Sequence, residues 1–313
     1  MAGAMEMGSD ETMEPATPGS YGQAPSGYRL PDALSLGPIH LQVGDLDGSL
    51  DYYQRVLGLV LLDRAGDTAR LSVSDGTAPL ITLREHRGAR PVPSRGRTGL
   101  FHFAILLPDR ASLGRFVRHL GEVGASAGAA DHLISEAIYL QDPDNLGIEV
   151  YADRPRSQWR RVGRELVLVT EPLDFADLVR EAGTTRWDGM PAGTRMGHVH
   201  LHVGDLDRAS GFYSEALGLD RMTWDAYRGA LFMSAGGYHH HLAVNLWAGR
   251  DAVPPGANDA QLLEWTVDLP TSADVAAAVT SIERSGFGVE SAGSDGAVLR
   301  DPWGTRLRIR SRR

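Results

Sequence analysis

Eleven histidines and no cysteine decide what reactive chemistry is open to this 313-residue chain. Without thiols there is no disulfide, no cysteine nucleophile and no thiolate-held zinc or iron–sulfur centre. Any metal must be held by imidazole and carboxylate. The histidines are clustered: GHVHLH places His198, His200 and His202 at alternate positions, and HHHLAV places His239, His240 and His241 side by side. Side chains two apart on a strand share a face, so the first cluster presents three imidazoles together if it is extended. Imidazole also titrates near neutral pH, so these groups suit proton transfer.

The elements that position them come from an internal repeat. GPIHLQVGDLDGSLDYYQRVLGL, from Gly37, returns as GHVHLHVGDLDRASGFYSEALGL, from Gly197. Val43, Asp45, Leu46, Asp47, Tyr53, Leu57, Gly58 and Leu59 recur as Val203, Asp205, Leu206, Asp207, Tyr213, Leu217, Gly218 and Leu219. Each copy reads as a strand, an Asp N-cap, a helix and a Gly stop. LFHFAILLPDRASLGRFVRHL, from Leu100, pairs with LLEWTVDLPTSADVAAAVTSI, from Leu262, and LQDPDNLGIEVY with LRDPWGTRLRIR. The chain therefore reads as α+β, with four βαβββ units in two tandem modules. The modules span 36–152 and 196–311, joined by a structured connector over 153–195 that carries RPRSQWRR and LDFADLVREAG. Residues 1–35 are rich in Gly, Pro, Ser and Met without apolar periodicity, and read as a disordered tail.

Composition narrows the function class. Hydrophobic content of 42% with 23% charged residues is that of a soluble globular protein. No segment approaches the ~18 consecutive apolar residues of a membrane helix. Forty acidic residues against 31 basic, a net charge of −9, argue against binding a nucleic-acid phosphate backbone. There is no secretory signal pattern, so a cytoplasmic protein is expected.

The paired βαβββ modules, with GLFHFAILLPDR, DHLISEAIYLQDPDNLGIEVYADRPRSQW, GHVHLHVGDL and FMSAGGYHHHLAVNLWAGR, resemble the vicinal-oxygen-chelate superfamily. That superfamily contains glyoxalase I, bleomycin-resistance proteins and extradiol dioxygenases, and the segments resemble its two-module catechol 2,3-dioxygenase branch. The resemblance covers about 37–311. It implies an Fe(II)-dependent enzyme that cleaves a catechol- or hydroquinone-type ring with O2, with Mn(II) as an alternative metal. The implied partners are a small aromatic diol and O2, with no nucleic acid and no membrane, and homo-oligomers are common among relatives.

In that branch a 2-His-1-carboxylate triad uses the first, fifth and eighth strands, leaving coordination positions open. Module one offers His102 and Glu149, but its first-strand position is Pro38, which cannot ligate. Module two offers His198, but Glu264 and Arg308 stand at its other positions. The resemblance is satisfied only across modules, by His198 with His102 and Glu149, which implies that the modules exchange halves. His40 is the alternative that would keep the site within module one. By the same resemblance His240 is the acid–base group, Tyr139 a hydrogen-bonding partner of the bound diol, and His132 a second pocket histidine. Arg154 or Trp159 is a candidate for closing the pocket. Asn145 and Leu146 depart from the family turn, which usually has Gly and a polar residue there.

Two other function classes are compatible with such a fold. A glyoxalase-type isomerase or lyase would add a carboxylate ligand from the fourth strand, which here carries His and Asn245. A non-enzymatic sequestering protein would bind its ligand in an aromatic cleft without a triad.

Overall fold

A computed structural model describes residues 12–312 apart from 226, 228, 250, 294 and 295. The first unit contains β1 (Ile39–Val43), α1 (Leu46–Arg55), β2 (Val60–Ala65), β3 (Thr68–Ser72) and β4 (Ile81–Glu85). The second contains β5 (Gly99–Leu106), α2 (Arg110–Val123), β6 (Gly128–Asp131), β7 (Ser135–Gln141) and β8 (Gly147–Asp153). The connector holds α3 (Phe175–Glu181). The third unit contains β9 (Arg195–His202), α4 (Leu206–Ser210) with a π-helical continuation, β10 (Asp220–Thr223), β11 (Ala230–Ser234) and β12 (Leu242–Asn245). The fourth contains β13 (Gln261–Leu269), α5 (Ser272–Arg284), β14 (Val289–Gly293), β15 (Gly296–Arg300) and β16 (Arg306–Ser311).

The repeated Asp residues start the helices. Asp45, Asp109 and Asp205 each accept a backbone N–H of the first turn, and Thr271 forms a capping box with Asp274. The Leu-Gly-Leu stops need glycine: Gly58 has φ 77° and Gly218 φ 100°. A Cβ at Gly218 would also lie 2.9 Å from the Leu30 backbone nitrogen.

The modules exchange halves. One sheet runs β10-β11-β12-β9-β5-β8-β7-β6, joining the third unit to the second. The other runs β14-β15-β16-β13-β1-β4-β3-β2, joining the fourth to the first. Antiparallel seams hold each sheet together: β9 on β5, with His198 opposite Ala104 and His200 opposite His102, and β13 on β1, with Glu264 opposite His40. Along β5 and β9, Phe103, Ile105, Val199 and Leu201 are completely buried, each contributing roughly 1.5–3 kcal/mol. Opening the seam would expose all four.

One expectation is corrected. Residues 1–11 lie outside the described residues, but 12–35 do not form a disordered tail. Leu30 and Tyr21 are buried, Arg29 pairs with Asp220 through two hydrogen bonds, and the Tyr21 hydroxyl donates to the Gly237 carbonyl. Glu14–Pro15 pairs with the strand Arg160–Val162 of the connector, and Ser35–Leu36 pairs with β13. An extended strap anchored by scattered side chains has no periodicity to betray it. The Asn145 departure also has a physical account: Asn145 takes φ 63°, a left-handed conformation that Asn tolerates, where the equivalent turn of the fourth unit uses Gly304 at φ 91°.

Candidate metal centre and active site

The seam between β5 and β9 sets the centre of the site. Glu149 lies opposite Ala104 on the parallel neighbour β8, and His198 lies opposite the same Ala104 from the other side. Alternation then brings His102, two residues before Ala104, to the same face. The three side chains meet: His102 Nε2 is 3.0 Å from Glu149 Oε2, His198 Nε2 is 3.1 Å from it, and the two Nε2 atoms are 3.3 Å apart. All three residues are buried.

This donor set fits a divalent cation. Bonds of about 2.0–2.2 Å at right angles put neighbouring donors about 2.8–3.1 Å apart, against about 3.3–3.6 Å for a tetrahedron. The observed triangle is nearer one face of an octahedron, which leaves the opposite face for other ligands. Burial alone would push the Glu149 carboxyl up, but the charge and hydrogen bonds of His198 and His102 override it and hold it well below the usual range. Burial pushes His198 down to about 4, despite the opposing pull of Glu149. At neutral pH the pair is therefore carboxylate and neutral imidazole, the protonation states metal binding requires. His198 Nδ1 is buried without a partner among the described residues.

The triad opens into a cavity of about 310 Å³. Phe101, Tyr227, Phe232 and Trp247 supply an aromatic wall, and Leu168 and Thr170 of the connector close another side. His132 and Tyr139 face it together, with His132 Nε2 2.7 Å from the Tyr139 hydroxyl. The Val169 carbonyl, 2.5 Å from His132 Nδ1, can only accept, so His132 donates at Nδ1 and turns Nε2 to the Tyr139 hydroxyl. Burial, with the Glu149 charge, pushes the Tyr139 hydroxyl well up, so it stays protonated.

His240 also lines the cavity, and its ring is 4.1 Å from that of His198. Behind it lies a chain of hydrogen bonds. Asp153 Oδ1 is 2.9 Å from His239 Nε2, and His239 Nδ1 is 2.7 Å from His240 Nδ1. The carboxylate can only accept, so it accepts from His239 Nε2–H, and in the neutral ring the bare Nδ1 accepts from His240 Nδ1–H. His240 Nε2 is thus left as the unprotonated nitrogen. Burial, with neighbouring His198, His239 and His200, holds His240 well below the usual imidazole range.

Other candidates lie elsewhere. His40 belongs to the second sheet, opposite Glu264, so it cannot complete a set with His102 and Glu149. At the corresponding place in that sheet Glu264 is bound by Arg308 at 2.7 and 3.2 Å, an ion pair where the first sheet has its triad. His241 points away to Ser234 Oγ at 2.9 Å. Arg154 is held by Asp131 and Glu136, and Trp159 is buried against Tyr238 and His239, so neither lines the cavity. Asp153, Leu168 and Thr170 were not singled out in the sequence. Asp153 carries a signal in hindsight, because it ends β8 four residues after Glu149 and shares its face.

The Glyoxalase/Bleomycin resistance protein/Dioxygenase superfamily matches residues 35–150 and 195–309, the two modules. The chain belongs to that superfamily. It is 44% identical over 257 residues to the Catechol-2,3-dioxygenase of Bacillus subtilis (strain 168), covering 82% of this chain and 90% of the relative. Among solved structures, one from Bacillus subtilis assigned provisionally as a dioxygenase superposes with TM-score 0.62 at 17% identity, covering 91% of this chain and 86% of its own. Glyoxalase I from Zea mays superposes with TM-score 0.51 at 18% identity, over 89% and 93%. At these identities the two structures support the fold alone.

Proposed function

We propose that this chain is an Fe(II)-dependent extradiol dioxygenase that opens a catechol-type ring with O2. The observation that carries the reading is the His102–Glu149–His198 triangle at the floor of an aromatic cavity. Its support from outside the structure is the 44% identity to a catechol-2,3-dioxygenase over most of both chains.

A divalent iron held by His102, Glu149 and His198 would supply a Lewis-acidic, redox-active centre for the reaction of a diol with O2. The chain's own residues do the rest. Phe101, Phe232 and Trp247 pack the aromatic ring and exclude water. His240 Nε2 takes the proton of a diol hydroxyl, and the Asp153–His239 chain holds the imidazole in the tautomer that can accept it. Because burial disfavours the imidazolium, His240 readily returns that proton later in the reaction. Tyr139 and His132 hold a diol oxygen by hydrogen bonding. A glyoxalase-type isomerase finds less support, since Leu242–Asn245 of β12 offers no carboxylate for a fourth ligand.

The test is oxygen uptake by the iron-reconstituted protein with catechol, read with the visible absorbance of the ring-fission product. One O2 consumed per ring opened, dependent on added Fe(II), is the expected result. Turnover with Mn(II) alone would reassign the metal. Isomerase activity on hemithioacetals without O2 uptake would overturn the reading.

A further inference from the structure

Beside the triad, a second polar chain ends in the cavity and has no place in the chemistry above. Asn245, the last residue of β12, sits between two histidines of β9. Its Nδ2 is 2.8 Å from His200 Nε2, and its Oδ1 is 2.6 Å from His202 Nδ1. The amide cannot be turned round, because the Trp247 backbone N–H donates to Oδ1 at 2.9 Å and a backbone N–H can only donate. Nδ2 is therefore the donor towards His200, and Nε2 of His200 must accept. A neutral imidazole that accepts at Nε2 carries its proton on Nδ1.

That Nδ1–H is unspent. It has no partner among the described residues, yet it is not among the buried atoms left without one. His200 lines the cavity, so the space its Nδ1 reaches is the cavity itself. The ring stands in the aromatic wall, 5.0 Å from Phe101, 5.4 Å from Trp247 and 5.9 Å from Phe232 between centroids. It is one oriented donor in a surface otherwise suited to an aromatic face. The described lining residues include no Lys or Arg, and the carboxylate among them is Glu149. A substrate bearing its own carboxylate would lose hydration there and meet no cationic side chain among the described lining residues.

We infer that His200, oriented by Asn245, is a specificity-determining donor that selects uncharged catechols carrying a neutral acceptor substituent, such as a carbonyl or ether oxygen. The inference rests on the catechol reading of the site, but it concerns recognition rather than turnover. Asn245 is a positioning residue, because it acts through His200.

The experiment measures anaerobic dissociation constants by quenching of tryptophan fluorescence in the Fe(II)-loaded protein. The ligand pairs are 3-acetyl- and 3-isopropylcatechol, and the 4-substituted equivalents, nearly isosteric couples that differ in the acceptor. At one ring position the acetyl compound should bind about tenfold more tightly or better. His200→Phe should bring the two within about twofold. Asn245→Asp is the second variant and needs no change in His200. An aspartate accepts from both histidines, so it moves the His200 proton to Nε2 and leaves a bare Nδ1 facing the cavity. It should abolish or reverse the preference. Two-bond 1H–15N correlations of histidine-labelled, metal-free protein read the tautomer directly: Nδ1–H for His200 in the wild type, Nε2–H in Asn245→Asp. An Nε2–H tautomer in the wild type, an acetyl preference untouched by His200→Phe, or equally tight binding of 2,3-dihydroxybenzoate would each overturn the inference. Discrimination without oxygen uptake would leave the subsite standing and remove the dioxygenase reading. Ring cleavage without discrimination would do the reverse.

Discussion

The turn that delivers Glu149 to the site contains a carboxyl group held against its preference, and this has a measurable cost. Asp142 is buried; its Oδ1 accepts from the backbone nitrogens of Asp144 and Leu146, and its Oδ2 accepts from the Tyr53 hydroxyl at 3.0 Å. Burial dominates these bonds and pushes the group up to about 7. In the unfolded chain it would titrate near 3.9. Between those values the native state holds a proton that the unfolded state has lost, so stability is fully present below about pH 4 and falls as pH rises towards about 7. At roughly 1.4 kcal/mol per pH unit, the loss above pH 7 reaches up to about 4 kcal/mol. Asp142→Asn removes the titration while keeping the geometry: the amide oxygen takes both backbone donors and the amide nitrogen donates to Tyr53. Urea unfolding of both proteins with chelator, from pH 5 to 8, gives the comparison, and the difference between them cancels other titrating groups. The variant should exceed the wild type by about 1.5 kcal/mol at pH 5 and by about 4 kcal/mol at pH 8. Parallel curves, or a variant weaker at pH 8, would refute the reasoning.

Arg308→Ala removes the ion-pair partner of buried Glu264, leaves the more distant Arg306 at 3.8 Å, and should cost about 3 kcal/mol by thermal or urea unfolding. The double change Glu264→Met with Arg308→Met should cost much less, because an apolar pair leaves no buried charge. Asp153→Asn removes the charge that fixes the His239 tautomer; turnover should fall by roughly 10²–10⁴ with iron content unchanged, and normal turnover would separate the chain from proton transfer.

Much of the architecture could be read without coordinates because it follows short-range rules. Period-two alternation marks β5 and β9, the repeated Asp residues mark helix starts, and Leu-Gly-Leu marks their ends. The exchange of halves could be read for a chemical reason: Pro38 has no donor, and Arg308 is the wrong charge for a cation site. The strand register brings the two halves together mechanically, since His198 and Glu149 flank one residue, Ala104, from the strands on either side. The strap over 12–35 escaped because Tyr21, Arg29 and Leu30 each find a partner far along the chain, at Gly237, Asp220 and Gly218. Asp153 and the orienting role of Asn245 escaped for a related reason. Each matters through a hydrogen bond to a particular side-chain nitrogen, which strand spacing does not specify. The cavity wall at Leu168 and Thr170 comes from a connector whose path no local pattern reveals.

The central claim is that one metal centre is assembled from two modules, His198 from one and His102 with Glu149 from the other. Iron bound per chain after anaerobic reconstitution, measured in the wild type, His198→Ala and His40→Ala, tests it most directly. One iron is expected in the wild type, almost none in His198→Ala and one in His40→Ala. Iron retained in His198→Ala and lost in His40→Ala would contradict it.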